Sequence, residues 1–230
     1  MGQCALDYQK GDKNAFITVY TNLEPPTKIS GNYLFRDFKK MPEMEQYALQ
    51  FCKGSVLDVG ACAGCHSIIL QQNGHDVTAI ELSKQAANCL QARGINTIHG
   101  DVMDLKNQQF DTVLMLMNGL GLGGTIEKTT AMLAHIKTLL KPGGQIIGDS
   151  ADIIESYREE DGSALIELTG RYYGIVDYQM EYKGHKGDKF TWLFIDYHTL
   201  ADCAKKAGLQ IELLVEGETD NYLARLTHLN

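Results

Sequence analysis

Ser55-Val-Leu-Asp-Val-Gly60-Ala-Cys-Ala-Gly64-Cys-His66 holds the chain's densest chemistry: the carboxylate of Asp58, the glycines Gly60 and Gly64, and a C-x-x-C-H run. Val56, Leu57 and Val59 read as a short buried strand ending at Asp58, and Ile68, Ile69 and Leu70 open an apolar helix. Strand, glycine turn and helix in that order form a nucleotide site in doubly wound α/β proteins. The glycines let backbone approach a ligand, and the helix start presents free N–H groups to it. Glu81 follows Gly60 by about 20 residues, where a carboxylate can accept from both hydroxyls of a ribose. Asp101, in Gly100-Asp-Val-Met-Asp104, lies beyond a third apolar run and could accept from an exocyclic amine.

The same residues spell other chemistry. Cys62-Ala-Gly-Cys65-His66 matches a haem-attachment signature, which requires export, yet Met1-Gly-Gln-Cys-Ala-Leu-Asp-Tyr8 has no apolar signal core. No second C-x-x-C completes a tetrahedral zinc site. Cys62 and Cys65 therefore read as small buried residues, with no metal expected. A dinucleotide fingerprint would need glycine at 60, 62 and 65, and cysteine stands at the last two. An NAD(P)-dependent oxidoreductase is the lesser reading, since no Tyr/Lys pair or zinc set accompanies the turn.

From Ser55 onward strand and helix signals alternate, which predicts a mostly parallel sheet. Strands are expected at 55–59, 76–80, 95–99, 110–117 and 144–149, with an antiparallel pair at 209–216 and 221–228 on the sheet edge. Ser83 and Thr125 are placed to cap helices, Thr199 with Asp202 to start a third, and another helix is expected near 43–51. Residues 151–197 predict a helix and then a hairpin turning at Lys183–Asp188. Its Tyr178, Met180 and Tyr182 alternate with Asp177, Gln179 and Glu181, and Phe190, Trp192 and Phe194 return on the partner strand. The expected organisation is an extension over 1–45, a binding core over 46–150 and 198–230, and an inserted possible substrate lid over 151–197.

Net charge of −8 argues against a partner held through phosphates, and no apolar run approaches a membrane span. The six cysteines lack disulfide-like spacing, which suggests the reducing cytoplasm.

These motifs together resemble the class I S-adenosylmethionine-dependent methyltransferases. Val56–Gly64 resembles that family's first motif, Glu81 its second-strand acid and Gly100-Asp101-Val102 its adenine-contacting turn. Phe110-Asp-Thr-Val-Leu114 resembles its fourth strand, and Leu139-Leu-Lys-Pro-Gly-Gly144 the turn before the fifth. Cys62 departs from the family's usual glycine.

The resemblance implies a Rossmann-like, seven-stranded, mostly parallel sheet with an antiparallel edge strand, binding S-adenosyl-L-methionine. Asp58, Gly60, Ala61 and Gly64 would line the methionine end, and Glu81 would hold the ribose. Leu82 and Val102 would sandwich the adenine, with Asp101 on its amine and Asn118 near the methyl group. Tyr33, Arg36, Asp149 and the hairpin aromatics are the candidate acceptor contacts. His66 and His198 are possible bases, and the sequence singles out neither.

The expected activity is methyl transfer to an O, N or C atom of a small molecule; the alternative is a regulatory protein that binds S-adenosylmethionine without turnover. Asn118-Gly-Leu-Gly121 lacks the prolines and aromatic that stack a flipped base, so no nucleic-acid partner is expected. The sequence does not fix the oligomeric state.

Overall fold

The computed structural model describes residues 1–229 apart from 160, 162, 165 and 167–169. Its strands are β1 (Phe16–Thr21), β2 (Thr27–Ser30), β3 (Ser55–Val59), β4 (Asp76–Glu81), β5 (Asn96–His99), β6 (Phe110–Met115), β7 (Leu140–Ala151), β8 (Ile175–Tyr182), β9 (His185–Lys186), β10 (Phe190–Leu193), β11 (Leu209–Glu216) and β12 (Asn221–His228). Its α-helices are α1 (Gly2–Gln9), α2 (Gly31–Leu34), α3 (Glu43–Phe51), α4 (Cys65–Gln72), α5 (Lys84–Ala92), α6 (Ile126–Thr138) and α7 (Tyr197–Ala207).

Seven strands form the main sheet in the order β11-β12-β7-β6-β3-β4-β5, with β3 to β7 parallel. Successive residues of one strand feed opposite layers, as the pleat requires. Leu57, Val113 and Ile146 pack toward Met132, Leu133 and Ile136 of α6 and Leu200 and Ala204 of α7. Val56, Leu114 and Ile147 pack toward Met44, Ala48 and Leu49 of α3 and Leu70 of α4. With both faces covered, the central strands can be apolar throughout.

The antiparallel strand, β12, sits one place in from the edge, where an edge position was expected. Tyr222, Leu223, Ala224 and Leu226 of β12 are buried, whereas β11 keeps Gln210, Glu212 and Leu213 exposed. The more apolar strand takes the doubly covered place between β7 and β11.

A second sheet, wholly antiparallel, runs β10-β8-β1-β2, with β9 on β8. It joins the first thirty residues to the hairpin: Thr18 faces Glu181 and Tyr20 faces Gln179. Tyr178, Met180 and Tyr182 pack with Ile17, Val19 and Cys4 beneath the glycine turn's Cys62 and Ala63. The alternating face read from the sequence is thus turned toward the candidate site.

Ser83 accepts from Ala86 N and Thr125 from Lys128 N, as their cap positions predicted. α7 begins earlier than expected: Asp196 is its cap and accepts from Thr199 N, because a carboxylate outcompetes a hydroxyl for the free N–H groups. The helix expected after 151 is one 3-10 turn at Ile154–Tyr157, and part of the following segment lies outside the described residues. No helix among the described residues is long and apolar enough to cross a membrane.

Candidate S-adenosylmethionine site

The turn after β3 is left-handed at alternate residues, with φ of 71° at Gly60, 52° at Cys62 and 77° at Gly64. A β-carbon built on Gly60 would meet no atom within 4 Å, so the space beside it is open to a ligand. Gly64 has another reason to be glycine. A β-carbon there would lie 2.4 Å from Ile95 Cδ1 and 2.7 Å from Leu90 Cδ2, so its missing side chain admits the neighbouring α5 layer. Gly64 lines neither of the two cavities at this turn.

Substitution separates the two roles. Each alanine meets a left-handed penalty of about 1–2 kcal/mol, and Gly64→Ala adds overpacking of about 1–3 kcal/mol. Gly64→Ala should therefore melt below Gly60→Ala, while Gly60→Ala should lose at least about tenfold in S-adenosylhomocysteine affinity, about 1.4 kcal/mol. Thermal unfolding and calorimetric titration of both variants check this, and the reverse order would refute the assignment.

Glu81, at the end of β4, braces the turn. Its Oε2 accepts from Cys62 N and its Oε1 from Ser83 N, both at 2.9 Å. Arg93 reaches from α5 to hold the Ala63 carbonyl. Cys62 keeps its left-handed backbone because Glu81 fixes its N–H and its side chain packs against the Cys4 and Ala5 layer. Burial pushes its thiol well above the ordinary cysteine range.

Two cavities flank Gly60 and share Val59, Gly60 and Leu122 as walls. The first, about 400 Å³, is lined by Ile80, Glu81, Leu82, Asp101, Val102 and Met132. Leu82 is 70% exposed on one side and Val102 is buried on the other, a slot of the shape a flat ring needs. Asp101 accepts from Met103 N through Oδ1.

The second cavity, about 300 Å³, has Ala61, Asp58, Arg36 and His66 at its base and Asn118, Trp192 and Phe194 on its far wall. Asp58 accepts from Ser67 Oγ at 2.5 Å, and burial raises its carboxyl above the usual range. Arg36 is 5% exposed; its Nη2 donates to Glu45 Oε2 at 2.5 Å and its Nη1 to Tyr33 O at 2.8 Å. Arg36 Nε is buried with no partner among the described residues, a donor awaiting an acceptor. His66 Nε2 meets the same Glu45 oxygen at 2.8 Å.

Tyr33 and Asp149 line neither cavity. Tyr33 is a shelf for Arg36, whose guanidinium lies 4.2 Å from the ring centroid. Asp149 supports the turn after β6, where Met117 and Asn118 are both left-handed, at φ of 64° and 58°. Its two oxygens each lie 3.0 Å from Asn118 N, and Oδ1 is 3.4 Å from Gly119 N. Such a turn persists only where its surroundings over-determine it. Asn118 is held further: its Oδ1 accepts from Ser150 Oγ, its Nδ2 donates to Leu193 O, and its carbonyl accepts from Trp192 Nε1. Asn118 thus ties the main sheet to the hairpin.

Residues 56–144 match the methyltransferase domain family. Across 100% of this chain and 94% of the other, the sequence is 37% identical to an S-adenosylmethionine-dependent methyltransferase from Bacteroides fragilis, at a TM-score of 0.92. The chain belongs to the S-adenosylmethionine-dependent methyltransferases. The Bacteroides methyltransferase was crystallised with S-adenosyl-L-homocysteine.

Cypemycin N-terminal methyltransferase from a Streptomyces species is 33% identical over 109 residues, which is 45% of this chain and 44% of that protein, so the match spans under half of that relative. CcbJ methyltransferase from Streptomyces caelestis covers 84% of this chain and 95% of its own, at 15% identity and a TM-score of 0.65, a likeness of fold alone.

The residues of this methyltransferase fit the family's cofactor. The open side of Gly60 and the Glu81 carboxylate lie at two cavities that share Val59, Gly60 and Leu122 as walls, and Arg36 lines the second. Sequence reasoning missed Glu45 and the Asn118–Trp192 link. Glu45 carried a signal, an acid on the same helical stripe as Ala48 and Leu49.

Proposed function

We infer that this methyltransferase carries a methyl group from S-adenosylmethionine to an O, N or C atom of a small molecule by in-line displacement. The observation that carries the reading is the pair of cavities joined at Gly60, one slot-shaped with a carboxylate and one ending in an aromatic wall. When bound, S-adenosylmethionine supplies a sulfonium methyl already activated toward attack. Glu81 would accept from the ribose hydroxyls, Leu82 and Val102 would flank the adenine, and Asp101 would face its amine. Arg36 Nε would donate to the carboxylate of the methionine end, beside Asp58, Gly60 and Ala61.

The chain contributes alignment and exclusion of water more than proton abstraction. Burial alone would lower His66, but Cys65, Glu45 and Asp58 beside it hold its imidazolium up to about 10. At neutral pH His66 is then protonated and cannot act as a base. His198 stands exposed at the start of α7, outside both cavities. Net charge of −8 favours a small molecule over nucleic acid, and six free cysteines favour a reducing cytoplasm.

The test is transfer of labelled methyl from S-adenosylmethionine into a pool of small metabolites. Label is expected in a low-mass product with equimolar S-adenosylhomocysteine. Cofactor binding with no transfer to any fraction would instead identify a protein that binds without turnover.

A further inference from the structure

The acceptor end of the second cavity has a composition of its own. Phe190, Trp192 and Phe194 alternate along β10 and its exit, so all three fall on one face of the strand. Phe190 and Trp192 meet at 73° with centroids 6.2 Å apart, and Tyr178 stacks on Phe190 at 22° and 5.7 Å. The result is a corner of aromatic faces and edges. Trp192 is half-buried and cannot swing away, because its Nε1 is fixed to Asn118 O at 2.9 Å. Met117 and Leu122 close the opposite side.

Charged side chains line the same cavity. Arg36 and His66 share Glu45, and Asp58 stands with them. Lys189 of the hairpin lines a neighbouring cavity with Tyr20 and Asp177, and that cavity shares Tyr178 and Phe190 with the corner. A flat ring would gain both stacked and edge contacts there.

We propose that the acceptor of this methyltransferase is an aromatic-ring-bearing small molecule whose ring seats in the Phe190–Trp192–Phe194 corner. The inference rests on the functional reading above. The nucleophile would be a substituent of that ring. Its lone pair would form the bond to the methyl carbon as the carbon–sulfur bond breaks, its electrons passing to sulfur, and any proton on the nucleophile would leave to water.

Calorimetry on the intact protein tests this, with S-adenosylhomocysteine titrated first. The saturated complex is then titrated with 1-naphthol and with decahydro-1-naphthol, which keeps the carbon skeleton and hydroxyl without the aromatic rings. The naphthol should bind at least tenfold more tightly than the saturated alcohol. Trp192→Leu should weaken naphthol at least tenfold, while Trp192→Phe, which keeps a ring, should retain most of the affinity. Both variants lose the Trp192–Asn118 hydrogen bond, so the difference between leucine and phenylalanine reads the ring alone, and each variant is also titrated with S-adenosylhomocysteine.

Because Trp192 is the chain's single tryptophan, quenching of its emission by an acrylamide series, with and without naphthol, gives a second reading in the unsubstituted protein. Naphthol should shield it. Equal or tighter binding of the saturated alcohol, or naphthol affinity unmoved by Trp192→Leu, would overturn the acceptor assignment alone. Absence of S-adenosylhomocysteine binding would overturn the functional reading and the acceptor assignment with it.

Discussion

Glu81→Ala should weaken S-adenosylhomocysteine binding by at least about 100-fold. Hydrogen bonds to an ionised group contribute about 1.5–3 kcal/mol each, and a ribose diol makes two, while about 1.4 kcal/mol corresponds to a tenfold change. The carboxylate also has a second duty. It accepts from Cys62 N and Ser83 N, so its loss frees two backbone donors at the wall of the cavity. Those donors hold Cys62 in its left-handed conformation, and the turn should relax away from the ligand when they are released.

Glu81→Gln separates the two duties. The amide keeps one acceptor oxygen but sets an NH₂ group against one of the two backbone donors, so it should fall between parent and alanine. Calorimetric titration of all three proteins measures this, with thermal unfolding to show that each is folded. If alanine binds within threefold of the parent, the slot at Leu82 and Val102 is not the nucleoside site.

How much of this was readable in the chain depends on how far apart the deciding residues lie. The unit from Ser55 to Glu81 was legible because its strand, glycine turn and acid coincide within a short stretch, each signal reinforcing the next. Within it, Gly64 was not. A glycine in a turn reads the same whether its missing side chain makes room for a ligand or for Leu90 and Ile95 of another layer. The second sheet was legible only in part. The hairpin's alternation marked one apolar face, but the partner of that face is β1, paired through Thr18 and Glu181 across most of the chain. No local pattern announces a pairing that distant. Asp149 shows a third limit. A carboxylate after a parallel strand suggested substrate contact, and no local pattern announced that it also accepts from the N–H groups of a left-handed turn.

The cluster at the base of the second cavity yields the other large effect. Glu45 is 5% exposed, and one of its oxygens meets both Arg36 Nη2 and His66 Nε2. Glu45→Gln would leave two buried cations facing an amide. Breaking a buried ion pair by removing one partner costs about 3–5 kcal/mol, a large part of the roughly 5–15 kcal/mol that holds a domain folded. Urea unfolding near pH 6 should show that loss.

The pH profile gives the mechanism its own signature. Burial works against the Glu45 charge, yet His66 and Arg36 together keep its carboxyl below the usual range. That contribution is present above the unfolded carboxylate range and disappears as pH falls through the lowered value. His66 is raised to about 10, so its contribution is full below about 6.5, the imidazole's ordinary value, and is lost as pH climbs toward 10. The parent should therefore lose stability steadily between those two limits. In Glu45→Gln the slope should flatten, leaving only what Cys65 and Asp58 still lend to His66. Parallel profiles for parent and variant, or a loss below about 1 kcal/mol at pH 6, would mean that the cluster is solvated and that Arg36 owes its position to Tyr33 alone.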